Sequence, residues 1–241
     1  MTEQTKVTTL EKVVVRFSGD SGDGMQLTGT IFSNLSAVFG NEISTFPDYP
    51  AEVRAPQGTL SGVSGFQVHL GSKKIFTPGE KADVLVAMNP AALKVNVTHI
   101  KPNAIVLIDT DSFQKSDLEK ALYTTDDPFK ELGLTQVQIV AAPISTMVRD
   151  GLVDFGLDNK SALRCKNMFA LGLVCWLFER PLDEAMHMLQ NKFAKKPVIA
   201  QANIKALTDG YNYGHNIHAT VSTYRIESKK ALPGTYMDVN G

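Results

Sequence analysis

The sequence predicts an α/β protein: a three-layer, Rossmann-like, mostly parallel sheet with a helical C-terminal part. Short and largely apolar runs, such as 82–88 (ADVLVAM) and 104–109 (AIVLID), alternate with segments of helical periodicity. That alternation is typical of a parallel sheet covered by helices on both faces. From residue 143 onward the strand patterns stop and helical patterns fill the chain. The part between 144 and 218 is therefore expected to be helical.

The first predicted strand and helix enclose a loop of glycines. The run 13–17 is apolar and β-branched, 25–39 has helical periodicity, and Gly19, Gly22 and Gly24 stand between them. Glycine allows a tight turn and a close approach of a ligand to the backbone, and a helix start offers free N–H groups. The stretch predicts a phosphate-binding turn, with a plain strand-to-helix connection as the alternative. Ligands of such folds bind beyond the carboxyl ends of the strands, where this loop is expected to lie.

The later elements follow from the same periodicities. Segments 59–70 and 74–77 are expected to pair as an antiparallel hairpin that turns at Gly71 and Ser72. Asn89 and Pro90 are the residue types preferred at the N-cap and the first position of a helix. Beyond residue 224 the periodicity is lost, which predicts one domain at 1–224 and a linker at 225–241. Further strands and helices are predicted at 42–46, 82–88, 104–109, 111–122, 136–141, 144–150, 160–179, 182–193 and 198–218.

Composition argues against several classes of function. With a net charge of −1, the chain gives no electrostatic reason to expect nucleic acid or a membrane surface as a partner. Residues 1–12 lack the apolar stretch of a signal peptide, and the longest apolar run, 168–178, is too short to span a bilayer. Cys165 and Cys175 would lie about 15 Å apart on one helix, too far for a disulfide. Free thiols predict a cytoplasmic protein.

The polar residues of the glycine loop each have two interpretations. Ser18 and Ser21 could donate hydroxyl groups to a ligand or simply turn the chain. Asp20 and Asp23 place negative charge where an anion would bind, which lowers affinity unless a metal or another cation intervenes. Capping of the following helix is their structural alternative, favoured for Asp23.

Two known phosphate motifs match the loop poorly. The triplet 22–24 (GDG) is the first half of a thiamine-diphosphate motif, but the paired asparagine that should follow is missing. A P-loop needs a lysine directly after its last glycine, and none follows Gly24. Neither motif is therefore favoured.

The proline-rich stretch 46–58 is predicted to be an ordered, functional loop. Its arginine, Arg54, could bind phosphate or carboxylate through two N–H groups, or could fix the loop by pairing with Glu52. Elsewhere, His215 and His218 have a spacing that metal ligands can use, but without a visible partner cluster a packed or surface role is favoured. The sequence shows no Ser–His–Asp or Cys–His set and no C-x-x-C for an iron–sulfur cluster. We expect ligand binding without a catalytic set.

Three blocks of the sequence carry a family resemblance. They are VRFSGDSGDGMQLTG (15–29), TFPDYPAEVRAPQGTLSGVSGFQVHLGS (45–72) and TPGEKADVLVAMNPAAL (77–93). In this order they resemble the gamma domain of 2-oxoacid:ferredoxin oxidoreductases, above all the form fused at the N-terminus of 2-oxoglutarate:ferredoxin oxidoreductase alpha subunits. The resemblance covers residues 13–224.

Both family loops are recognisable, with departures. The family's G-x-G-G-Q-G-x-x-x-x-G pattern has its glycines here except that Ser21 replaces one of them, and Asp23 replaces the glutamine. The family's Y-G-x-E-x-R-G-G loop is matched by Tyr49, Glu52 and Arg54. Prolines and an alanine stand in place of its glycines, so this loop should be stiffer. The glycines that match are Gly19, Gly22, Gly24 and Gly29.

The resemblance implies a component of an enzyme complex. Members of the family decarboxylate a 2-oxoacid on thiamine diphosphate, pass electrons through [4Fe–4S] clusters to ferredoxin and release an acyl-CoA. Thiamine diphosphate, Mg²⁺ and the clusters belong to partner alpha and beta domains or subunits, and the gamma domain is implicated in binding coenzyme A (CoA). On this basis 1–224 would be a gamma domain, inactive in isolation. The implied CoA-binding residues are Ser18, Gly19, Ser21, Gly22, Asp23, Gly24, Tyr49, Glu52 and Arg54.

Two other functions are compatible with the sequence. The domain could be a purely structural assembly module whose glycine loop contacts a partner chain, which the two aspartates favour. It could also be a free-standing nucleotide-binding enzyme, although no general base or nucleophile is apparent.

Overall fold

A six-stranded sheet lies at the centre of the computed structural model, which describes residues 7–52, 54–79, 81–217 and 223–228. Five of its strands point in the same direction, and four of them are paired side by side as parallel neighbours. The strands of this sheet are β2 (Lys12–Asp20), β3 (Glu42–Asp48), β4 (Val63–Gly71), β5 (Ala82–Ala87), β6 (Ile100–Asp109) and β7 (Gln138–Ala142). Their order across the sheet is β3–β4–β2–β5–β6–β7, with β4 antiparallel to both of its neighbours. A separate, two-stranded parallel ladder joins β1 (Val7–Leu10) to β8 (Thr223–Ile226).

Helices cover both faces of the sheet. They are α1 (Met25–Val38), α2 (Pro90–Asn96), α3 (Lys115–Lys120), α4 (Pro128–Glu131), α5 (Ile144–Gly151), α6 (Asn159–Leu163), α7 (Lys166–Leu177), α8 (Asp183–Lys192) and α9 (Pro197–Ile217). Side chains alternate between the faces of β2: Val15 and Phe17 pack in the core cluster that includes α1 and α7, and Val14 packs with Leu93 of α2. The predicted three-layer, mostly parallel α/β fold with a helical C-terminal part is confirmed.

The predicted hairpin at Gly71 and Ser72 is wrong. Strand β4 pairs with β2 on one edge and with β3 on the other, so its two hydrogen-bonding edges are already used. The segment after it, 72–79, forms no strand. Side chains of β4 hold this segment instead: His69 Nδ1 donates to the carbonyl oxygen of Thr77 at 2.7 Å.

Two predicted helices are shorter than expected. In place of 111–122, a 3-10 turn precedes the six-residue α3. The predicted helix 160–179 is interrupted, because α6 ends at Leu163 and α7 begins at Lys166 with Cys165 as its N-cap. Strand β8 includes Arg225 and Ile226, which belong to the predicted linker, and most of that linker, 229–241, lies outside the described residues. The domain boundary stays a prediction.

The helices α7 and α9 cross with their backbones in direct proximity. Every residue of α7 after the first is buried, and α9 places Gly210 against it. A Cβ added to Gly210 would lie 2.7 Å from the carbonyl carbon of Phe169, and one added to Gly172 would lie 2.7 Å from the backbone nitrogen of Tyr211. Only glycine leaves enough room at this crossing.

Both cysteines are expected to be inert towards thiol reagents in the native protein. Burial raises the pKa of Cys165 to about 11 and that of Cys175 to about 12. At pH 8 about one Cys165 in a thousand would therefore be the reactive thiolate. We expect no alkylation of native protein at pH 8 over minutes and two modified residues in denaturant, measured by intact mass. Stoichiometric labelling of the native protein would contradict this accessibility.

None of the helices in the described part of the chain is both long enough and apolar enough to cross a membrane.

Candidate functional site

The glycine loop lies at the carboxyl edge of the parallel strands. Strand β2 runs to Asp20, and α1 begins at Met25. Gly22 and Gly24 adopt φ angles of 98° and 82°, a region in which residues with a Cβ are strained. Gly24 is the N-cap of α1, and no side chain among the described residues caps this helix. The first backbone N–H groups of α1 therefore have no side-chain cap within the described part of the chain, the condition under which a helix start can bind an anion.

The two aspartates of the loop are held by other partners. Asp20 is buried, and its carboxylate accepts hydrogen bonds from Asn89 Nδ2 and from the backbone N–H of Gly58, both at 2.9 Å. Burial, followed by the charge of Asp23, raises the pKa of Asp20. Asp23 Oδ2 accepts from the backbone N–H of Asp20 at 3.3 Å and lies 3.5 Å from Lys166 Nζ. The expectation that Asp20 and Asp23 cap α1 is wrong.

The same contacts bear on the thiamine-diphosphate motif. A metal–diphosphate site would require Asp23 to offer its carboxylate to Mg²⁺. The ammonium group of Lys166 lies beside that carboxylate and would repel a divalent cation. The residues 22–24 therefore do not fit such a site.

The proline-rich loop folds against the glycine loop. Gly58 of this loop is bonded to Asp20 as described, and the backbone N–H of Ser21 donates to the carbonyl oxygen of Gly62, in the 3-10 turn Leu60–Gly62 that follows the loop, at 2.9 Å. The N–H of Glu52, in the proline-rich loop, donates to the carbonyl oxygen of Ser61, in the 3-10 turn that follows the loop, at 3.0 Å. The structure thus brings the two sequence-predicted loops together at one edge of the sheet. The Asp20 carboxylate bonds to the proline-rich loop itself, and the Ser21 backbone bonds to the turn that follows it.

The predicted site residues of the proline-rich loop have side chains that are exposed to solvent. Tyr49, Glu52 and Arg54 are exposed, and no ion pair forms between Glu52 and Arg54 in the described structure. Of the two interpretations of Arg54, pairing with Glu52 is therefore wrong. The guanidinium group is left accessible to a ligand or a partner.

Ser18 lies beneath the loop rather than at its surface. It is fully buried in β2, its hydroxyl donates to the carbonyl oxygen of Ser64 at 3.1 Å, and it accepts from Asn96 Nδ2 at 2.9 Å. A ligand above the loop cannot reach this hydroxyl group. Ser21 and Gly22, by contrast, are at least partly accessible.

A buried arginine behind the site was not predicted. The guanidinium group of Arg16 contacts the carboxylate of Asp48, at the start of the proline-rich loop, and the side-chain oxygen of Asn96. Its third partner is Gln67 Oε1 at 3.3 Å. The signal in the sequence was a single arginine in the apolar run 13–17, because a buried charge in a strand requires partners.

Lys166 and Asn167 at the start of α7 are the other missed residues. Asn167 Nδ2 donates to the carbonyl oxygen of Gly24 at 3.4 Å, which fixes α7 against the glycine loop. Nothing in the sequence near position 166 signals this proximity, since the contact joins residues about 143 positions apart.

The histidines considered as metal ligands do not form a site in the described structure. His215 packs edge-on against Tyr211, with ring centroids 5.0 Å apart, and against Trp176. His218 lies outside the described residues. No group of three or more His, Cys, Asp or Glu side chains that could hold a metal occurs within the described ranges.

Comparison with known proteins agrees with the resemblance. Residues 14–213 match the family model described as pyruvate ferredoxin/flavodoxin oxidoreductase. The chain is 44% identical over 232 residues to the 2-oxoglutarate oxidoreductase subunit KorA of Mycobacterium tuberculosis, covering 96% of this chain and 35% of that subunit. The chain thus spans about a third of the length of this curated relative.

Solved structures of the family share the fold. A 2-oxoglutarate:ferredoxin oxidoreductase from Magnetococcus marinus, with 2-oxoglutarate, coenzyme A and succinyl-CoA bound, aligns with a TM-score of 0.70 at 24% identity, over 92% of this chain and 34% of that chain. The gamma subunit of a keto/oxoacid ferredoxin oxidoreductase from Geobacter sulfurreducens aligns at 0.58 and 20% identity, over 85% of this chain and 99% of that subunit. The resemblance found in the sequence is confirmed, and the chain belongs to the pyruvate ferredoxin/flavodoxin oxidoreductase family.

Proposed function

We propose that this chain is the gamma domain of a 2-oxoacid:ferredoxin oxidoreductase and that it binds CoA at the glycine loop. The observation that carries the proposal is the start of α1, which no side chain of the described structure caps. The glycine loop that leads into it is hydrogen-bonded, through Asp20 and Gly58, to the loop that bears the exposed Arg54. Backbone N–H groups at a helix start and an arginine side chain are the groups that bind phosphate. CoA is the phosphate-bearing substrate of this family.

The role proposed for these residues is one of proximity. The loop and Arg54 would hold the phosphates of CoA so that its thiol reaches the acyl group in a partner domain. Ordering two reactants in this way lowers the barrier without acid or base chemistry. Thiamine diphosphate with Mg²⁺, which supplies the decarboxylation chemistry, and the [4Fe–4S] clusters that reduce ferredoxin would be held by partner alpha and beta domains or subunits.

The substrate favoured by the comparisons is 2-oxoglutarate. The Mycobacterium relative, at 44% identity, is named as a 2-oxoglutarate oxidoreductase subunit, and the Magnetococcus structure contains 2-oxoglutarate and succinyl-CoA. The reaction proposed for the complete enzyme is therefore the oxidative conversion of 2-oxoglutarate and CoA to succinyl-CoA, CO₂ and reduced ferredoxin. The isolated chain is expected to be inactive, since its sequence shows no Ser–His–Asp or Cys–His set.

Arg54→Ala in the assembled complex is the direct test of this role. We expect the apparent KM for CoA to rise about tenfold, because a charge-assisted hydrogen bond to phosphate contributes about 1.5 kcal/mol. The KM for the oxoacid should change less than about twofold, since the oxoacid binds elsewhere. Lys74→Ala is the matched control: this exposed cation follows β4 at the opposite edge of the sheet. An unchanged CoA dependence in Arg54→Ala would refute the assignment.

A structural assembly module remains the second candidate, favoured by the exposed aromatic ring of Tyr49 on the same loop. Exposed tyrosines are enriched at protein interfaces. If this candidate is right, Tyr49→Ala and Arg54→Ala will both reduce the yield of assembled complex on size-exclusion chromatography, and the CoA dependence of the complex that does form will be unchanged.

A further inference from the structure

The aspartates of the glycine loop raise an electrostatic difficulty. A carboxylate beside a bound phosphate repels it, and this loop contains both Asp20 and Asp23. Asp20 is turned inward, to Asn89 and to the backbone of Gly58. Asp23 is the residue whose charge requires compensation.

Lys166 supplies a positive charge at the required place. Its Nζ lies 3.5 Å from Asp23 Oδ2, and the two side chains are only 18% and 14% exposed. A pair so shielded from water interacts more strongly than a surface ion pair. Lys166 also opposes the rise in the pKa of Asp20 that burial and Asp23 cause. Its charge thus acts on both carboxyl groups.

The position of Lys166 is fixed by its neighbour. Asn167 donates to the carbonyl oxygen of Gly24, and a Cβ at Gly24 would overlap the Asn167 side chain. The first turn of α7 therefore abuts the glycine loop and cannot move away without breaking this contact. Asp23, in turn, is folded toward the backbone N–H of Asp20.

We infer that Lys166 is a positioning residue that neutralises Asp23 and holds it away from the ligand, so that the glycine loop can accept an anionic substrate. This inference rests on the proposed binding of CoA. The Asp23–Lys166 pair carries no net charge, and neither does the glutamine that the family pattern has at position 23. Lys166 acts through Asp23 rather than by contacting CoA.

The test is a set of variants in the assembled complex, with the apparent KM for CoA as the readout. Lys166→Met keeps the length of the side chain and removes its charge, so we expect this KM to rise about tenfold, with kcat and the KM for the oxoacid changed less than about twofold. Lys166→Arg should retain the wild-type value. Lys160 is an exposed lysine of α6, and Lys160→Met is the control for the loss of one positive charge.

The decisive variant combines Lys166→Met with Asp23→Gln. If Lys166 acts by compensation, the double variant returns to within about twofold of the wild-type KM for CoA, a coupling that a double-mutant cycle measures. A double variant as impaired as Lys166→Met alone would mean that Lys166 contacts the ligand itself, and would overturn the inference. If Lys166→Met does not assemble, the double variant alone tests the inference. A raised KM for CoA in the double variant would then mean that Lys166 contacts the ligand itself.

The outcome separates this inference from the proposed function. A raised KM for CoA in Arg54→Ala, with no change in Lys166→Met, would leave CoA binding in place and overturn only the role of Lys166. An unchanged KM for CoA in both variants would refute the proposed CoA site, and the inference about Lys166 would fail with it.

Discussion

Gly210→Ala is expected to destabilise the protein by about 3 kcal/mol, the upper end of the usual cost of overpacking. The added Cβ would lie 2.7 Å from the carbonyl carbon of Phe169, closer still to its oxygen, and these are backbone atoms of α7. They can move only if the two helices separate, which would open the apolar core around Phe169. In an ordinary helix interior the same substitution stabilises the protein by about 1 kcal/mol. A loss of stability would therefore indicate overpacking at the helix crossing.

Equilibrium unfolding in denaturant measures this effect. Asn212→Ala, on the exposed side of α9, is the matched control and should change the free energy of unfolding by less than about 0.5 kcal/mol. Gly172→Ala should behave like Gly210→Ala, and the double variant should cost less than the sum, since one displacement of the helices relieves both overlaps. A Gly210→Ala variant as stable as the wild type would show that the helices are further apart than described.

Arg16→Met is expected to cost about 2 to 3 kcal/mol of stability. Removing one member of a buried charge pair leaves its partners without a donor, at about 3 to 5 kcal/mol for a fully buried pair. The side chain of Asp48 is 41% exposed, so water can compensate part of its loss. Asn96 is buried, and its side-chain oxygen loses the Arg16 guanidinium as a donor.

The measurement for Arg16→Met has two parts. Denaturant unfolding gives the stability, and amide hydrogen exchange over residues 49–62 reports whether the proline-rich loop loosens when Asp48 loses its anchor. Asp48→Asn keeps an oxygen for the guanidinium group and should cost less than about 1 kcal/mol. Unchanged stability of Arg16→Met would mean that the buried cluster contributes nothing net.

Hydrophobic periodicity located the core elements well. The predicted strand 104–109 falls within β6, and the predicted helix 25–39 exceeds α1 by one residue. These segments are long or largely apolar, so local sequence determines their type. The choice of partner for β4 is not local: 74–77 is its near neighbour in sequence, yet β4 pairs with β2 and β3. Strand pairing of this kind depends on the whole sheet.

The glycine loop was predictable for the same local reason, since positive φ angles at Gly22 and Gly24 need glycine. The position of Ser18 was not, because β2 extends to Asp20 and the alternation along a strand turns the serine toward Asn96. Lys166 could not be identified either. Its function depends on a contact between α7 and the glycine loop that only the folded chain contains.

The ladder between β1 and β8 sets an order of events during translation. The partner of Val7–Leu10 is Thr223–Ile226, which is synthesised more than two hundred residues later. At about 5 to 20 residues per second, the first strand waits on the order of ten to forty seconds for its partner. Strand β1 can therefore pair with β8 only after all six strands of the central sheet have been synthesised.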